Sequence, residues 1–241
     1  MTDVDLLPTR RSTDHLRALA DEGAAIFGEE PDPTELLEWF GSALGIDRIA
    51  VAVSFSDGVM AHLAGHALPG VDLLFVDTGY HFAETLGLRE AVAATLPVNV
   101  RSLTPEQTHA ELDEQFGENL WERDPDLCCA IRKTAPMAAA LRGYDAWATG
   151  LRRSDHDGRA QTPVVHWDDT NGLIKINPIA AFTDGDLETH IQEHSIMENP
   201  LKQIGYRSIG CAPCTRAVEA GEDERAGRWA GRAKTECGLH L

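Results

Sequence analysis

Two stripes of apolar residues at helical spacing open the chain. The first follows Thr13 and Asp14, which are suited to cap a helix, and consists of Leu16, Leu19 and Ala20. The second follows Thr34, which is likewise suited to cap a helix, and consists of Leu36, Leu37, Phe40 and Leu44. Because residues three and four apart share one face of a helix, this pattern predicts a helical N-terminal segment over residues 1–46.

Beyond this segment, apolar runs alternate with stretches of helical character. Ile49–Phe55 shows no polar alternation, which indicates a strand buried on both faces, and Val71–Val76 is a second run of this kind. Val98–Leu103 and Ala146–Thr149 predict two further strands. The helices predicted between the strands include Asp57–Leu68 and Phe82–Leu96.

A hairpin completes the pattern. Val164–Trp167 and Leu173–Ile176 flank Asn171-Gly172, a dipeptide typical of tight hairpin turns. Strands that alternate with helices of about ten or more residues indicate a parallel sheet with right-handed crossovers. We therefore predict an α/β fold, a mostly parallel sheet flanked by helices, with a flexible C-terminal tail. The single domain would comprise the helical segment 1–46, the core 47–178 and a C-terminal segment 179–241.

Charge and composition narrow the classes of function. The 241 residues carry 39 Asp and Glu against 21 Lys and Arg, a formal net charge of −18. Proteins that bind nucleic acid or anionic membranes present basic faces, so we expect neither kind of partner. No apolar stretch approaches the roughly 18–20 residues of a membrane span, and the acidic N-terminus lacks a signal-peptide pattern. We therefore expect a cytoplasmic protein whose thiols stay reduced.

Candidate chemistry lies in the loops after the strands, because ligands of parallel sheets bind outside the carboxyl ends of the strands. The first loop, Ser54 to Gly58, precedes a helix whose N–H groups and dipole favour an anion. Ser54 and Ser56 add hydroxyl groups, although no Walker A lysine follows. The loop is either a phosphate site or an ordinary helix cap, and its place after the first core strand favours phosphate.

The five cysteines divide into four and one. Cys128 and Cys129 are adjacent, and Cys211 and Cys214 form a CxxC motif. A disulfide between neighbours is strained, so the adjacent pair indicates a centre shared with the CxxC motif. Four thiolates suit tetrahedral zinc or a four-iron cluster. Because adjacent cysteines depart from zinc spacing and can bind separate iron atoms, the pattern favours an iron–sulfur cluster over zinc and over four buried free thiols.

The fifth cysteine, Cys237, lies in the C-terminal sequence Glu-Cys-Gly-Leu-His. Segments near chain ends are usually mobile, so this thiol is either an incidental surface group or one that swings into a site. A reactive thiol needs nearby cations that lower its pKa, and His240 is one candidate. Other basic residues lie beside cysteines or predicted strand ends, namely Lys133, Arg152, Arg153, Arg225 and Arg228. They favour a local cationic pocket for a small anion, because screening over about 8 Å weakens distant charges.

Four motifs in order resemble those of a known family. They are Cys128-Cys129-Ala-Ile-Arg132-Lys133, Thr149-Gly-Leu-Arg152-Arg153, Ser208-Ile-Gly-Cys211-Ala-Pro-Cys214-Thr-Arg216 and Glu236-Cys-Gly-Leu-His240. Together they resemble the assimilatory adenylyl-sulfate (APS) reductases, the thioredoxin-dependent members of the APS/PAPS reductase family. The resemblance covers roughly Ile49 to the C-terminus, and the segments Phe75–Thr85 and Asn199–Ser208 fit it as well.

The resemblance implies a fold, a cofactor and a reaction. The fold would be adenine nucleotide α-hydrolase-like, and a [4Fe-4S] cluster would be bound by Cys128, Cys129, Cys211 and Cys214. Cys237 would attack the sulfur of APS to give an enzyme S-sulfocysteine and AMP. An external thioredoxin would then release sulfite, in assimilatory sulfate reduction toward cysteine. Homo-oligomers are common among such folds.

The resemblance also implies binding roles. Four cations are expected to neutralise the sulfate charge that repels a thiolate, namely Lys133, Arg225, Arg228 and His240. The nucleotide's phosphate and ribose are expected to contact the first loop, with Ser54, Phe55 and Ser56, and Arg152. Leu73–Thr78 would supply the adenine wall. In this interpretation the core 47–178 binds the nucleotide, while the segment 179–241 completes the cluster and carries the catalytic cysteine.

Three alternatives use the same residues differently. A reductase of 3′-phospho-APS (PAPS), giving sulfite and adenosine 3′,5′-bisphosphate, would use the same nucleophile, although most such enzymes lack the four-cysteine set. A tRNA-thiolating enzyme would need a Ser-Gly-Gly-x-Asp-Ser loop and a basic surface, and the sequence has neither. A zinc-binding interaction module would leave Cys237 without a role.

Overall fold

The computed structural model describes residues 10–232, 234 and 236–239. Its N-terminal part confirms the two predicted helices, α1 (Thr13–Phe27) and α2 (Pro33–Leu44). Both helices place their apolar stripes against the sheet or against each other, with Leu16, Leu36 and Phe40 almost completely buried.

The caps of these helices lie elsewhere than predicted. The Ser12 side chain accepts a hydrogen bond from the first turn of α1, and the Asp32 side chain does the same for α2. A capping residue has extended backbone and directly precedes the helix, which describes Ser12 and Asp32. The predicted caps Thr13, Asp14 and Thr34 are wrong, because these residues already lie within the helices.

The strands of the described chain form one sheet. They are β1 (Ile49–Val53), β2 (Asp72–Val76), β3 (Asn99–Leu103), β4 (Ala146–Thr149), β5 (Val165–Asp168) and β6 (Leu173–Ile176). Their order is β3-β2-β1-β4-β6-β5. The first five in this order are parallel, and β5 pairs antiparallel with β6. The predicted α/β fold, with a mostly parallel sheet and a hairpin, is confirmed.

Helices cover both faces of this sheet. Those that follow β1 are α3 (Val59–Ala67), α4 (Ala83–Thr95), α5 (His109–Phe116), α6 (Leu120–Arg123), α7 (Pro125–Cys129), α8 (Ala135–Leu141) and α9 (Asp184–His194). A π turn, Ala130–Thr134, joins α7 to α8. The helices predicted after β1 and β2 are confirmed and are slightly shorter than the sequence pattern indicated.

The central strands are buried on both sides, as their uninterrupted apolar runs predict. In β1, Ile49 and Val51 join the apolar cluster that includes α1, α2 and α3, whereas Ala50 joins the cluster on the opposite face with α8. The edge strand β3 differs, because Asn99 and Arg101 are exposed along it. Among the described residues, no helix combines the length and the apolar character that crossing a membrane requires.

Candidate active site

The carboxyl ends of the parallel strands border a cavity of about 580 Å³. Its walls come from the loops after β1, β2 and β4 and from the C-terminal segment. Volumes of roughly 300–1,000 Å³ are typical of pockets for small ligands and cofactors. This edge of a parallel sheet is where ligands bind, so the cavity is the candidate active site.

The loop between β1 and α3 contributes Ser54 and Ser56 to the cavity wall. The Phe55 side chain instead turns into the core, where it is 1% exposed and its ring centroid lies 5.2 Å from that of Phe75. A φ of 54° at Phe55 produces this change of direction. The Phe55 side chain is therefore not part of the cavity wall, although the sequence predicted that this residue contacts the substrate.

Residues far along the chain hold this loop in shape. The buried Asn199 side chain donates from Nδ2 to the Phe55 carbonyl and to Thr85 Oγ1, both at 3.0 Å. The Gly58 N–H donates to the Met197 carbonyl at 2.9 Å. A Cβ atom at Gly58 would lie 2.9 Å from that same oxygen, so a larger side chain would push the two segments apart. The shape of the loop thus depends on segments that are distant in sequence.

The four cysteines of the predicted cluster line one small pocket as free thiols; they are Cys128, Cys129, Cys211 and Cys214. The CxxC loop reaches the adjacent pair through contacts with the segment after β2. The Ala212 N–H donates to the Tyr80 carbonyl at 2.7 Å, and Thr78 Oγ1 lies 3.3 Å from Cys211 Sγ. The fold therefore brings the two cysteine motifs to one place.

Burial makes three of these four thiols hard to ionise. It raises the pKa of Cys128 to about 12, with the neighbouring Cys129 adding to the effect, and it raises the pKa of Cys129 to about 11. Burial also raises the pKa of Cys214. A metal centre is one source of the positive charge that would turn such thiols into thiolates. Over residues 10–232, 234 and 236–239, no group of three or more His, Cys, Asp or Glu is placed so that it could hold a metal ion, and the iron–sulfur cluster stays a prediction.

Cys237 differs from the other four thiols. It lies on the wall of the large cavity, and its pKa is lowered. Burial opposes this shift, but the Lys133 ammonium, the Leu239 N–H and the Arg228 guanidinium outweigh burial because each stabilises the thiolate. Burial likewise opposes the charged form of Lys133, yet nearby thiolates, that of Cys237 first, raise its pKa. Among the five cysteines, Cys237 is therefore the one that combines a lowered pKa with a place on the wall of the large cavity.

Two predicted substrate-binding arginines lie together on the cavity wall. Ser208 Oγ accepts from Arg228 Nη1 at 3.4 Å and from Arg225 Nη1 at 3.5 Å. Gly210 leaves room for Arg228, because a Cβ atom there would collide with the Arg228 guanidinium. Burial lowers the pKa of Arg225, an effect that the Glu236 carboxylate opposes.

The other residues predicted to contact the substrate lie in varied surroundings. Arg152 lines the cavity, but Asp155 Oδ1 lies 2.9 Å from its Nη2 and Asp184 Oδ1 lies 2.7 Å from its Nη1. A bound phosphate would therefore share this guanidinium with two carboxylates. His240 lies outside the described residues. In the predicted adenine wall, Leu73–Thr78, the first two residues are buried in the core, Phe75 and Val76 line the cavity, and Thr78 lines the cysteine pocket.

The sequence is also similar to that of a known protein family. Residues 48–217 match the phosphoadenosine phosphosulfate reductase domain. The chain belongs to this family. Among reductases similar to it, the adenosine 5′-phosphosulfate reductase of Streptomyces coelicolor is 55% identical, over 95% of this chain and 97% of the relative. The adenosine 5′-phosphosulfate reductase of Mycolicibacterium smegmatis is 50% identical over 100% of both chains.

Solved structures agree with the reductase family and with the fold. The phosphoadenylyl-sulfate (PAPS) reductase from Candida auris, in a phosphate complex, has a TM-score of 0.67 and 26% identity, covering 87% of this chain and 99% of that chain. An FMN adenylyltransferase from Candida glabrata has a TM-score of 0.54 at 12% identity, over 90% of this chain and 73% of that chain, and shows the fold alone. The predicted adenine nucleotide α-hydrolase-like fold is confirmed.

The sequence did not reveal two residues of this reductase-family site whose contacts hold other residues in place. Asn199 holds the β1–α3 loop, and Glu236 contacts His156 and Arg159 beside Cys237. Asn199 and Glu236 both belong to segments that carry the resemblance. A linear motif names a residue without naming its partner, so their roles could not be derived from it.

Proposed function

We propose that this chain reduces APS to sulfite and AMP, with thioredoxin as the electron donor, in assimilatory sulfate reduction toward cysteine. One observation carries the proposal. Cys237, the thiol with the lowered pKa, lies on the wall of a nucleotide-sized cavity at the carboxyl ends of the strands. The names of the S. coelicolor and M. smegmatis relatives support the same substrate.

In the first step the Cys237 thiolate attacks the sulfur of APS. A bond forms between Sγ and this sulfur, the bond from the sulfur to the bridging phosphate oxygen breaks, and AMP leaves. The sulfonate oxygens carry negative charge that repels the thiolate. Lys133 and Arg228 support this step, because they already stabilise the Cys237 thiolate and would neutralise the charge of the transition state as well.

In the second step an external thiol removes the sulfonate. A thioredoxin thiolate attacks Cys237 Sγ, sulfite leaves with the electron pair of the S–S bond, and a mixed disulfide forms. The second thioredoxin thiol resolves this disulfide and regenerates the Cys237 thiol. The two electrons that reduce sulfate sulfur to sulfite thus come from the thioredoxin dithiol. A cytoplasmic location suits this step, because dithiols stay reduced there.

The nucleotide would occupy the rest of the cavity. Ser54 and Ser56, with the N–H groups at the start of α3, are suited to bind its phosphate. Arg152 reaches the same wall and would bind phosphate or ribose beside its carboxylate partners. Phe75 and Val76 offer an apolar surface to the adenine ring.

The four donors of the small pocket are of the chemical kind that the predicted cofactor needs, although the described residues do not gather three of them around a single metal ion. Cys128, Cys129, Cys211 and Cys214 are free thiols that line it together, and these four would hold a [4Fe-4S] cluster. When bound, the cluster would supply a charge distribution that orients the cations near the sulfonate, in a structural and electrostatic role. Lys133 and Arg228 line both the pocket and the cavity, so they connect the two centres.

An intact-mass experiment tests the first step. We expect the protein mixed with APS, without thioredoxin and under anaerobic conditions, to gain the mass of one sulfonate on Cys237. The C237S variant should gain none while keeping its affinity for AMP. An unchanged mass of the wild-type protein, with AMP bound normally, would contradict the proposal.

A PAPS reductase is the second candidate, because the C. auris structure with this fold carries that name. The two candidates differ in one phosphate on the ribose. Steady-state rates with APS and with PAPS, measured on the same preparation, separate them. We expect a much higher kcat/KM for APS, and a preference for PAPS would move the assignment to the second candidate.

A further inference from the structure

Glu236, the residue before Cys237, lies among cationic side chains. Its Oε1 accepts hydrogen bonds from Arg159 Nε at 2.7 Å and Nη2 at 2.5 Å, and from His156 Nε2 at 2.8 Å. Arg225 Nη2 lies 3.7 Å from the same oxygen. The Glu236 side chain is only 11% exposed. Charge-assisted hydrogen bonds at such a site are stronger than those of exposed ion pairs.

Other contacts hold the chain on either side of Cys237. Before it, Lys234 Nζ pairs with Asp126 in α7, close to the adjacent cysteines in sequence. After it, Leu239 packs against the apolar cluster that contains Val76. Glu236 is the charged residue that directly precedes Cys237, and without its contacts the ion pair of Lys234 and the packing of Leu239 would be left to locate Cys237.

Two partners of Glu236, Arg159 and Arg225, line the nucleotide cavity. His156 and Arg159 follow β4, and Arg159 Nη1 also lies 2.5 Å from Asp155 Oδ2. Asp155 in turn pairs with Arg152 at 2.9 Å, on the cavity wall. A continuous chain of ion pairs therefore connects the surface that would bind the nucleotide with the residue next to the nucleophile.

We propose that Glu236 is a positioning residue, whose carboxylate holds Cys237 against the nucleotide cavity during attack on the substrate sulfur. The contacts of this carboxylate must break before the external thiol reaches the sulfonated cysteine. This inference rests on the proposed function and deepens it. It assigns opposite effects to the same contacts. They speed the first step by fixing the geometry of attack, and they slow the second step by holding Cys237 away from thioredoxin.

The charge of Glu236 alone would act in the other direction. Its carboxylate raises the pKa of Cys237 and so opposes formation of the thiolate. If Glu236 influenced the reaction through its charge, an E236Q variant would attack APS faster than the wild-type protein. If it acts by position, the variant attacks more slowly. The sign of the change therefore separates the two explanations.

The test measures each half-reaction in E236Q and in E90Q. Glu90 pairs with Arg89 on the surface of α4, so E90Q removes an equal charge elsewhere. Without thioredoxin, we expect the sulfonate adduct to form about tenfold to a hundredfold more slowly in E236Q, with an unchanged Kd for AMP. Once isolated, the E236Q adduct should release sulfite faster on addition of thioredoxin. E90Q should match the wild-type protein in both steps.

An adduct rate in E236Q equal to or above that of the wild-type protein would overturn the inference, and so would slower release of sulfite from its adduct. If E236Q does not fold, R159M removes the same contact from the side of Arg159, and its adduct should likewise form more slowly and release sulfite faster than that of the wild-type protein. If E236Q does fold, the double variant E236Q/R159M should lose less than the sum of the two single effects, because the two changes share the contact between Glu236 and Arg159.

The alkylation rate of Cys237 separates this inference from the proposed function. If the wild-type protein forms no adduct with APS, the proposed function fails, yet the anchoring can still be measured with iodoacetamide. At a pH high enough to ionise the thiol in both proteins, E236Q should be alkylated severalfold faster, because the thiol is less enclosed. If both proteins are alkylated at equal rates at that pH, Glu236 does not hold Cys237 in place and the inference is wrong.

Discussion

Lys133 lies between the two candidate centres of this molecule. It lines both the cysteine pocket and the large cavity, and the thiolates of Cys237 and Cys211 act on its ammonium group. It belongs to the π turn that follows Cys129, and the wider turn changes the direction of the side chains after it. One cation is therefore placed to stabilise the Cys237 thiolate and any thiolate that forms in the cysteine pocket.

We predict that K133M raises the pKa of Cys237 and slows the attack on APS. The Lys133 charge is the foremost influence that offsets burial of the Cys237 thiol, so its loss favours the neutral thiol. The rate of alkylation against pH should reach its midpoint at higher pH than in the wild-type protein. The adduct rate should fall on the order of a hundredfold, because one stabilising charge at the transition state is lost.

The conservative variant K133R is the control for this prediction. It keeps the positive charge at a similar place, so its alkylation midpoint should stay close to that of the wild-type protein. Iron and sulfide contents of both variants show whether the cysteine pocket has changed. An unshifted midpoint in K133M would mean that the thiolate is stabilised by other groups.

At the scale of elements, α3 and α9 meet through a cluster of histidines. The ring centroids of His62 and His190 lie 5.7 Å apart, and His194 lies 4.9 Å and 4.5 Å from them. Burial, followed by the neighbouring histidines, lowers the pKa of His62, and burial followed by His194 lowers that of His190. Residues on another side of α9, among them Ile191, line the cavity, so this contact supports a wall of the site.

We predict that this contact weakens in acid. The folded-state pKa values of His62 and His190 lie below the unfolded value of about 6.5, so the unfolded chain takes up protons first as the pH falls. Their contribution to the free energy of unfolding is therefore complete above the unfolded pKa and decreases below it. Thermal melts should show Tm falling between about pH 7.5 and 5.5.

The double variant H62Q/H190Q should show a smaller fall of Tm over the same range. Part of the fall should remain, because burial also lowers the pKa of His81 and His166. An identical pH dependence in the variant and the wild-type protein would show that the α3–α9 contact does not carry the effect.

At the scale of the whole molecule, the cysteine pocket joins the core to the C-terminal segment. Cys128 and Cys129 end α7, whereas Cys211 and Cys214 belong to the segment 179–241. A [4Fe-4S] cluster on these four thiols would cross-link two distant parts of the chain. Binding energy at such a site adds to the free energy of unfolding, because the unfolded chain has no preformed site.

We predict that C211S, purified without oxygen, loses its visible absorption and its iron and sulfide, and melts at a lower temperature. Each kcal/mol of lost stability should lower Tm by roughly 2–4 °C in a chain of this size. C237S should keep the chromophore, the iron content and the Tm of the wild-type protein. Loss of the chromophore in C237S would instead make Cys237 a ligand and contradict the division into four and one.

Local patterns in the sequence determined much of the fold. Apolar runs such as Ile49–Val53 predict strands because both faces of a central parallel strand are buried, and the helical stripes around Leu16 and Leu36 predict helices for the same local reason. The division of the cysteines also follows from spacing alone. These properties depend on neighbours along the chain, which the sequence displays directly.

The tertiary structure alone decided which distant groups meet. The contacts of Asn199 with Phe55, and of Glu236 with His156 and Arg159, join segments 144, 80 and 77 positions apart. The inward direction of the Phe55 side chain is also a tertiary property, because it needs the left-handed backbone at Phe55 and the space beside Phe75. Such pairings cannot be derived from composition, periodicity or motif order, because burial and ion pairing are established only when the whole chain has packed.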